Sequence, residues 1–247
     1  MTGSGHRGQD PHSGERATDD DVQPNHGGHD TALVAVWPLL GLRLATARLE
    51  LAVPTSADLA DLFDAAAAIQ PPGQARFQQS FLYASSPERE RGLLQRHWRA
   101  LAHWRPDSWD LHLAIRLDGT AIGVQSMWAT DFAITRTVET GSWIGLAHQG
   151  RGYGTEARMA VLELAFTHLG AAEARTAYVA GNLASEAVSR KLGYQDNGHK
   201  VSAQDGERLV QHLMAIDAAT WKRRSRGPVE VTGLTRCLDL FGVAAGS

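Results

Sequence analysis

The feature that constrains this chain most is the segment ETGSWIGLAHQGRGYGT at residues 139–155, which predicts a strand, a glycine-rich turn and the start of a helix. Trp143 and Leu146 belong to an apolar run that favours a strand. The three glycines that follow tolerate unusual φ angles and the close approach of a ligand. From Thr155 onward, apolar residues recur at the three- and four-residue steps of a helix. A helix that begins directly after glycine backbone presents unpaired N–H groups and a positive dipole end, so the segment predicts a phosphate or pyrophosphate site.

Two common phosphate-binding motifs do not match this segment. The dinucleotide motif is Gly-x-Gly-x-x-Gly, whereas Gly150, Gly152 and Gly154 alternate with single residues. A Walker loop needs a lysine before its serine or threonine, and here Gly154 directly precedes Thr155. A glycine-rich turn that binds no ligand stays an alternative, because short glycine motifs are common by chance.

The segment resembles the acyl-CoA-binding motif of the GNAT superfamily of N-acyltransferases, Gln/Arg-x-x-Gly-x-Gly/Ala, at Gln149, Gly152 and Gly154. The longer string Glu-x-Gly-x-Trp…Gln-Gly-x-Gly-Tyr-Gly-Thr-Glu-Ala looks like the branch that includes the ribosomal-protein N-terminal acetyltransferases. Residues 182–194 are similar to the family's second signature, Asn-x-x-Ser-x-x-(hydrophobic)-x-x-Lys-Leu-Gly-(aromatic). Two matches in the right order are more specific than either one alone. Residues 42–51 and 229–242 resemble actinobacterial relatives more loosely.

Hydrophobic patterns and turn signals predict the order of elements along the chain. They predict a strand or strand pair at 42–53, a helix from Thr55 or Ser56 to Pro71 with Leu59 and Leu62 on its buried side, and a helix from Pro87 to Pro106. They then predict strands at 109–117 and 121–128 joined by a hairpin turn at Asp118-Gly119, a strand at 136–146, the helix from Thr155, a strand at 174–180, a helix at 183–192 and a last strand at 207–216. This is the order of a GNAT domain. The resemblance implies an α+β (mixed α/β) fold, with a twisted, mostly antiparallel sheet, helices on both faces and a central acyl-CoA cleft.

Composition divides the chain into three parts. Residues 1–31 are rich in Gly, Asp, His and Ser and hold no aromatic residue, which predicts a disordered acidic arm. Residues 37–221 form the predicted acyltransferase domain, and residues 222–247 form a C-terminal extension that we expect to pack on the domain or on a partner subunit. The arm is acidic and the remainder nearly neutral, so neither favours nucleic acid.

The sequence favours a cytoplasmic protein without a metal. The apolar run at residues 32–42 follows an acidic flank and is too short to cross a bilayer, so we expect no membrane partner. The histidines of the arm lack ligand spacing, so no metal site is predicted. Cys237 is the single cysteine, which excludes an intrachain disulfide and is typical of a reducing compartment. Its expected role is that of a small buried apolar residue.

The resemblance implies which residues hold acyl-CoA, as a co-substrate and not as a permanently bound cofactor. The pyrophosphate would lie on backbone N–H groups of residues 149–154, with added charge from Arg151. The pantetheine arm would add like an extra strand between residues 144–146 and 180–182. Asn182 and Ser185 would cap the second helix and contact CoA, although capping alone also explains them. The predicted CoA-binding residues are Ile144, Gly145, Leu146, Gln149, Gly150, Arg151, Gly152, Tyr153, Gly154, Thr155, Asn182 and Ser185.

Two residues are predicted to carry the chemistry. Ser189 stands where many relatives have tyrosine, so the resemblance makes it the hydrogen-bond donor to the leaving sulfur; an ordinary helix-surface serine is the alternative. Glu139 is the carboxylate nearest the motif and would act as general base, directly or through water, unless its role is structural. Reserve candidates are His112, Ser142 and Glu156. Aromatic candidates for contact with the acceptor are Phe81, Tyr83, Trp98 and Trp104.

The sequence therefore predicts an N-acyltransferase that moves an acyl group, acetyl as first expectation, from acyl-CoA to a primary amine of a small molecule, peptide or protein N-terminus. One alternative is a longer donor, succinyl or fatty acyl, on CoA or an acyl carrier protein. Another is a non-catalytic acyl-CoA-binding module. A protein-interaction role for the acidic arm is a weaker alternative, and a homodimer is left open.

Overall fold

The computed structural model describes residues 30–69, 79–204, 206–224 and 227–243. Residues 1–29 of the arm predicted at 1–31, and the predicted helix end at Pro71, lie outside these residues. The described helices are α1 (Thr31–Val36), α2 (Ser56–Ala67), α3 (Glu88–Ala102), α4 (Phe132–Thr135), α5 (Tyr153–Glu163), α6 (Leu183–Leu192) and α7 (Ala218–Lys222). Short 3₁₀ turns and one wider turn after α5 connect them.

In the described residues one sheet holds nine strands. They are β1 (Arg43–Ala45), β2 (Leu49–Ala52), β3 (Ser108–Leu117), β4 (Thr120–Thr130), β5 (Thr137–Ile144), β6 (Glu173–Val179), β7 (Gln195–Gln204), β8 (Glu207–Asp217) and β9 (Glu230–Thr232). Their spatial order is β7-β8-β6-β5-β4-β3-β2-β1-β9. Within the described chain, β5 and β6 are the parallel pair and every other pairing is antiparallel. The predicted α+β fold with a mostly antiparallel mixed sheet is confirmed.

One face of the sheet is covered by α2 and α3. Thr55 caps α2 because its side chain accepts from the Asp58 N–H while Asp58 accepts from the Thr55 N–H, a reciprocal capping box. Leu59, Leu62 and Leu93 of the two helices pack with the strand residues Ala114, Val124 and Trp143. The helix predicted from Thr55 or Ser56 is thus confirmed at its start.

The opposite face is covered by α5, α6 and the C-terminal segment. Apolar residues of α5, including Ala157 and Val161, belong to the same core as the strand residues Leu113 and Val138. Beyond α7 the chain returns to the sheet, where β9 pairs with β1. Cys237 and Phe241 are fully buried in that core. The described residues 227–243 of the predicted extension therefore complete the sheet edge and the core.

The β3–β4 hairpin turns at the predicted dipeptide. Asp118 and Gly119 have φ angles of 50° and 85°, the left-handed values that a tight two-residue turn requires. Two strands were not predicted, β7 and β9. Trp104 was predicted to face an acceptor but lies in the core, stacked on Trp109 at 5.9 Å, with its ring N–H donating to the Leu240 carbonyl. No helix among the described residues is long and apolar enough to cross a membrane.

Candidate active site

A cleft opens where the two parallel strands separate. β5 and β6 pair from Thr137 opposite Glu173 to Thr140 opposite Thr176, and no further. Beyond that point β5 continues along β4 as far as Ile144, while β6 continues along β8. The two strands therefore present unpaired edges to each other, and backbone edges of this kind accept an added extended chain.

The cleft has a volume of about 430 Å³ and is lined by residues from both faces of the sheet. Side chains alternate between the faces of a strand, so its walls divide into two sets. On the face of α2 and α3 it is lined by Ser126, Trp128, Glu139, Trp143, Lys200 and Gln211. On the face of α5 and α6 it is lined by Thr140, Ser142, Arg158, Tyr178, Asn182 and Ser185.

The end of β5 directs specific backbone groups into the cleft. The Gly145 N–H donates to the Ile122 carbonyl of β4, so by alternation the N–H groups of Ser142 and Ile144 face the opened side. The Leu146 N–H donates to the Ala68 carbonyl. Among the predicted residues 144–146, the amide group that faces the cleft is thus that of Ile144, and Ser142 supplies a second one.

The glycine-rich loop ends in the N-terminus of α5. Gly150 and Gly152 have φ angles of 74° and 85°, which residues with a side chain adopt only with strain. The first helical bond runs from the Glu156 N–H to the Gly152 carbonyl at 3.1 Å, so the N–H groups of Gly152 to Thr155 have no acceptor within the helix. Together with the positive end of the helix dipole, they form an anion-binding surface beside the cleft.

Two side chains hold this loop in place. Gln149 donates from Nε2 to the carbonyls of Ile69 and Ile144, at 2.6 and 2.7 Å, and so ties the loop to the end of β5. Glu156 accepts from the Arg48 Nε at 2.7 Å and from the Thr46 hydroxyl at the same distance. The reserve candidate Glu156 is therefore engaged outside the cleft.

Arg48, which the sequence did not single out, packs on the outside of the loop. Its guanidinium donates to the Arg151 carbonyl at 3.2 Å and lies 4.6 Å from the centroid of the Tyr153 ring. Only the folded arrangement of β1, β2 and α5 brings Arg48 to residues a hundred positions away, so no local motif could have identified it.

The second signature forms α6 along the other wall. The Asn182 side chain accepts from the Ser185 N–H at 3.1 Å and caps the helix, as its sequence position predicts. Ser189 is fully buried, so it is not a helix-surface residue. Its hydroxyl donates to the Ser185 carbonyl and accepts from Arg158, each at 3.0 Å.

Arg158 lies on the floor of the cleft and was not among the residues predicted from the sequence. It is 3% exposed and donates to Ser189 from Nη1 and to the Ser142 hydroxyl from Nη2, at 3.0 and 3.2 Å. Its Nε–H has no acceptor among the described residues, and no ion pair of those residues includes it. Burial lowers the pKa of the guanidinium, and the nearby Tyr194 partly opposes that effect. An arginine nevertheless stays protonated near neutral pH.

The candidate base, Glu139, lies on the opposite side of the sheet from Arg158. Its side chain is exposed at the mouth of the cleft, in register with Trp128 of β4. The reserve candidate His112 is buried on β3, the strand beyond β4, where it lies opposite Ser126. Burial, with Arg96 and His97 nearby, holds the pKa of His112 well below its ordinary value, which keeps that imidazole neutral at pH 7.

The aromatic residues that line the cleft differ from those predicted to contact the acceptor. Trp128 and Trp143 line the cleft, whereas Phe81, Tyr83 and Trp98 are not among its lining residues. Trp98 is 56% exposed on the outer side of α3. Within the described ranges, no group of three or more His, Cys, Asp or Glu side chains could hold a metal ion.

Comparison with known proteins places these features in one family. Residues 48–195, more than half of the chain, match the family described as "Acetyltransferase (GNAT) domain". The match includes both the glycine-rich loop and α6, the two segments that carry the sequence signatures.

Solved structures with the same fold include three informative examples. A GCN5-related N-acetyltransferase from Brucella melitensis is 17% identical with a TM-score of 0.59, covering 73% of this chain and 80% of that one. RimL, a ribosomal L7/L12 alpha-N-protein acetyltransferase in complex with coenzyme A, is 16% identical with a TM-score of 0.57, covering 70% and 95%. A spermidine N-acetyltransferase chimera, from Vibrio cholerae SpeG and hSSAT, is 17% identical with a TM-score of 0.56, covering 72% and 100%. Identities this low establish the fold alone.

Proposed function

The chain belongs to the GNAT acetyltransferase family, and on this premise we propose that it transfers an acyl group, acetyl in the first instance, from acyl-CoA to a primary amine. The observation that carries the proposal is the separation of β5 from β6 directly beside the glycine-rich N-terminus of α5. An extended thioester needs both features at once, an open strand edge for its arm and an anion-binding surface for its pyrophosphate.

The donor would be held mainly by backbone groups. The N–H groups of Gly150 to Thr155 would bind the pyrophosphate, with the Arg151 side chain adding positive charge. The pantetheine arm would lie along β5 and bond to the N–H groups of Ser142 and Ile144 that face the cleft. One of these would polarise the thioester carbonyl as negative charge develops on its oxygen.

In the transfer itself, a donor on one face of the cleft would react with an amine that enters from the other face. The amine nitrogen forms a bond to the thioester carbon as the carbon–sulfur bond breaks, and the amine loses a proton. Glu139, on the face of α2 and α3, would accept that proton directly or through water. The acceptor would therefore enter on the side of Trp128 and Glu139, while the donor occupies the side of α5.

Ser189 would assist the departing sulfur on the donor side. Ser189 is fully buried and is not among the residues that line the cleft, and its hydroxyl hydrogen is directed at the Ser185 carbonyl. Donation to sulfur therefore requires rotation of that hydroxyl and a small rearrangement of the cleft wall. Arg158, which donates to the Ser189 oxygen, would make the hydroxyl a stronger donor by polarising it. A thiolate is a moderate base, so a hydrogen bond suffices and full proton transfer from serine is not required.

Calorimetric titration with acetyl-CoA, followed by thiol release on addition of a panel of primary amines, tests the proposal. We expect binding and amine-dependent release of CoA, with intact-mass detection of the acylated amine. Absence of binding to CoA and to every acyl-CoA would contradict the proposal. Binding with no release for any amine would instead support a non-catalytic acyl-CoA-binding module.

A further inference from the structure

The buried guanidinium of Arg158 lacks a negative partner. It is 3% exposed, and in the described chain it bonds to two neutral hydroxyls while its Nε–H has no acceptor. A buried charge costs free energy unless a counter-charge accompanies it, and buried charges in proteins are usually paired. The position therefore suits a residue whose counter-charge arrives with a ligand.

The ligand's route follows from the position of Arg158. It lines the cleft on the face of α5 and α6, three residues after Thr155, the last residue of the anion-binding surface. Its Nη2 donates to the Ser142 hydroxyl, and the Ser142 N–H is one of those facing the separated strands. The guanidinium thus lies beside the stretch of β5 expected to hold the thioester carbonyl.

The charges around the cleft favour the donor over the acceptor as the source of an anion. Of the described residues that line the cleft, the charged ones are Glu139, Lys200 and Arg158. Glu139 and Lys200 are exposed on the acceptor face. Arg158 is buried on the opposite face, where the donor is expected.

We infer that Arg158 recognises a carboxylate at the far end of the acyl chain, so that the enzyme prefers a short dicarboxylic acyl-CoA of the succinyl type to an uncharged acyl-CoA of the same chain length. This inference rests on the proposed function. The planar guanidinium offers parallel N–H donors that match the two oxygens of a carboxylate. Ser142 and Ser189 hold the side chain in place and leave further donors on the same guanidinium. The product is then an amide with a free terminal carboxylate, and CoA leaves as the thiol.

The test compares succinyl-CoA with butyryl-CoA, which has the same chain length and no carboxylate. We expect the wild-type kcat/KM to favour succinyl-CoA by roughly 10- to 100-fold, the value of one charge-assisted hydrogen-bonded contact. Arg158→Gln keeps a polar side chain without the charge and should bring the ratio close to one. Lys200→Gln, the control at the other cleft cation, should leave the ratio in favour of succinyl-CoA.

Other outcomes overturn the inference. If the wild-type kcat/KM for butyryl-CoA equals or exceeds that for succinyl-CoA, the inference is wrong. This comparison needs no variant, so it holds even if Arg158→Gln fails to fold. A loss of selectivity in Lys200→Gln but not in Arg158→Gln would assign the anion to the acceptor face. If Arg158→Gln lowers activity only with acceptors that bear a carboxylate, the anion recognised by Arg158 also belongs to the acceptor and not to the donor. Failure of free CoA to bind at all would instead remove the proposed function, and calorimetry with CoA distinguishes the two cases.

Discussion

Arg158 of α5 donates a hydrogen bond from Nη1 to the Oγ of Ser189 in α6 over 3.0 Å, and both side chains are buried. The bond connects the helix that begins at the pyrophosphate surface with the helix that carries the predicted donor to sulfur. Because Ser189 accepts from a cation, its hydroxyl is polarised without any change in its own protonation.

Replacing Ser189 by alanine should lower kcat by about 10- to 100-fold, because the departing sulfur loses its hydrogen bond. The unfolding free energy should fall by about 1 to 3 kcal/mol, because one Arg158 N–H then lacks an acceptor. Steady-state kinetics and urea denaturation measure the two effects. Ser202→Ala in β7, whose hydroxyl accepts from Gln211, is the control. A loss of stability with kcat unchanged would leave Ser189 a purely structural role.

Replacing Gly152 by glutamate should weaken acyl-CoA binding by at least roughly 100-fold, about 2.7 kcal/mol. The new carboxylate would lie at the helix N-terminus where the pyrophosphate is expected, and its negative charge would repel the ligand. Calorimetry with acetyl-CoA measures the change. Gly119→Glu is a matched control, since Gly119 has the same φ of 85° in the distant β3–β4 turn. If both variants bind equally well, the loop is not part of the CoA site.

Replacing Asp58 by asparagine should destabilise the fold by about 3 kcal/mol, the lower end of the range for a broken buried ion pair. Asp58 accepts from the Arg116 Nε and Nη2, both at 2.7 Å, and both side chains are buried. Glu50, which also pairs with Arg116, limits the loss. Chemical denaturation at pH 7 measures it, with Asp64→Asn on the exposed side of the same helix as the control.

The difference in unfolding free energy between the wild type and Asp58→Asn should also depend on pH. Burial alone would raise the pKa of Asp58, but hydrogen bonds from Arg116 and Thr55 outweigh burial and hold the pKa below its ordinary value of 3.8. A carboxyl with a depressed folded-state pKa contributes its full stability above the unfolded-state pKa and loses it as the pH falls through the folded-state pKa. The difference in unfolding free energy should thus be constant above about pH 5 and narrow towards pH 2. A difference that grows in acid would contradict this assignment.

Cys237 should react very slowly with thiol reagents in the native protein and rapidly after denaturation. It is fully buried, and burial, followed by the charge of Asp239, raises the pKa of its thiol to about 11. The thiolate is the reactive species, so little of it exists at pH 8. Absorbance with a disulfide reagent measures the rate, and Cys237→Ser provides the zero-signal control. Rapid reaction without denaturant would contradict the burial of this residue.

Local signals in the sequence were enough for the elements with a strong pattern. The Thr55 cap and the spacing of Leu59 and Leu62 predicted α2, and Asp118-Gly119 predicted the hairpin between β3 and β4. Strand β7 gave no such signal, because residues 195–204 are almost wholly exposed and have no apolar alternation. That strand is defined by its pairing with β8, a property of the assembled sheet.

The candidate site was predictable where backbone geometry decides it. The glycines and the Asn182 cap have local causes and could be read in order along the chain. Arg158 could not, because charged residues on helices are usually solvated, and its burial follows from the packing of α6 over α5. The prediction for Trp104 failed for a related reason. Trp104 packs in the core against Trp109 and Phe241, whereas Trp128 lines the cleft.

The pairing of β9 with β1 brings an early and a late strand of the described chain together at one edge of the sheet. During synthesis, the N-terminal strands leave the ribosome long before residues 230–243 exist. The edge of β1 and the hollow filled by Phe241 would stay uncovered until those residues are made. Truncation before β9 should therefore leave a free strand edge and exposed apolar surface, both of which favour aggregation.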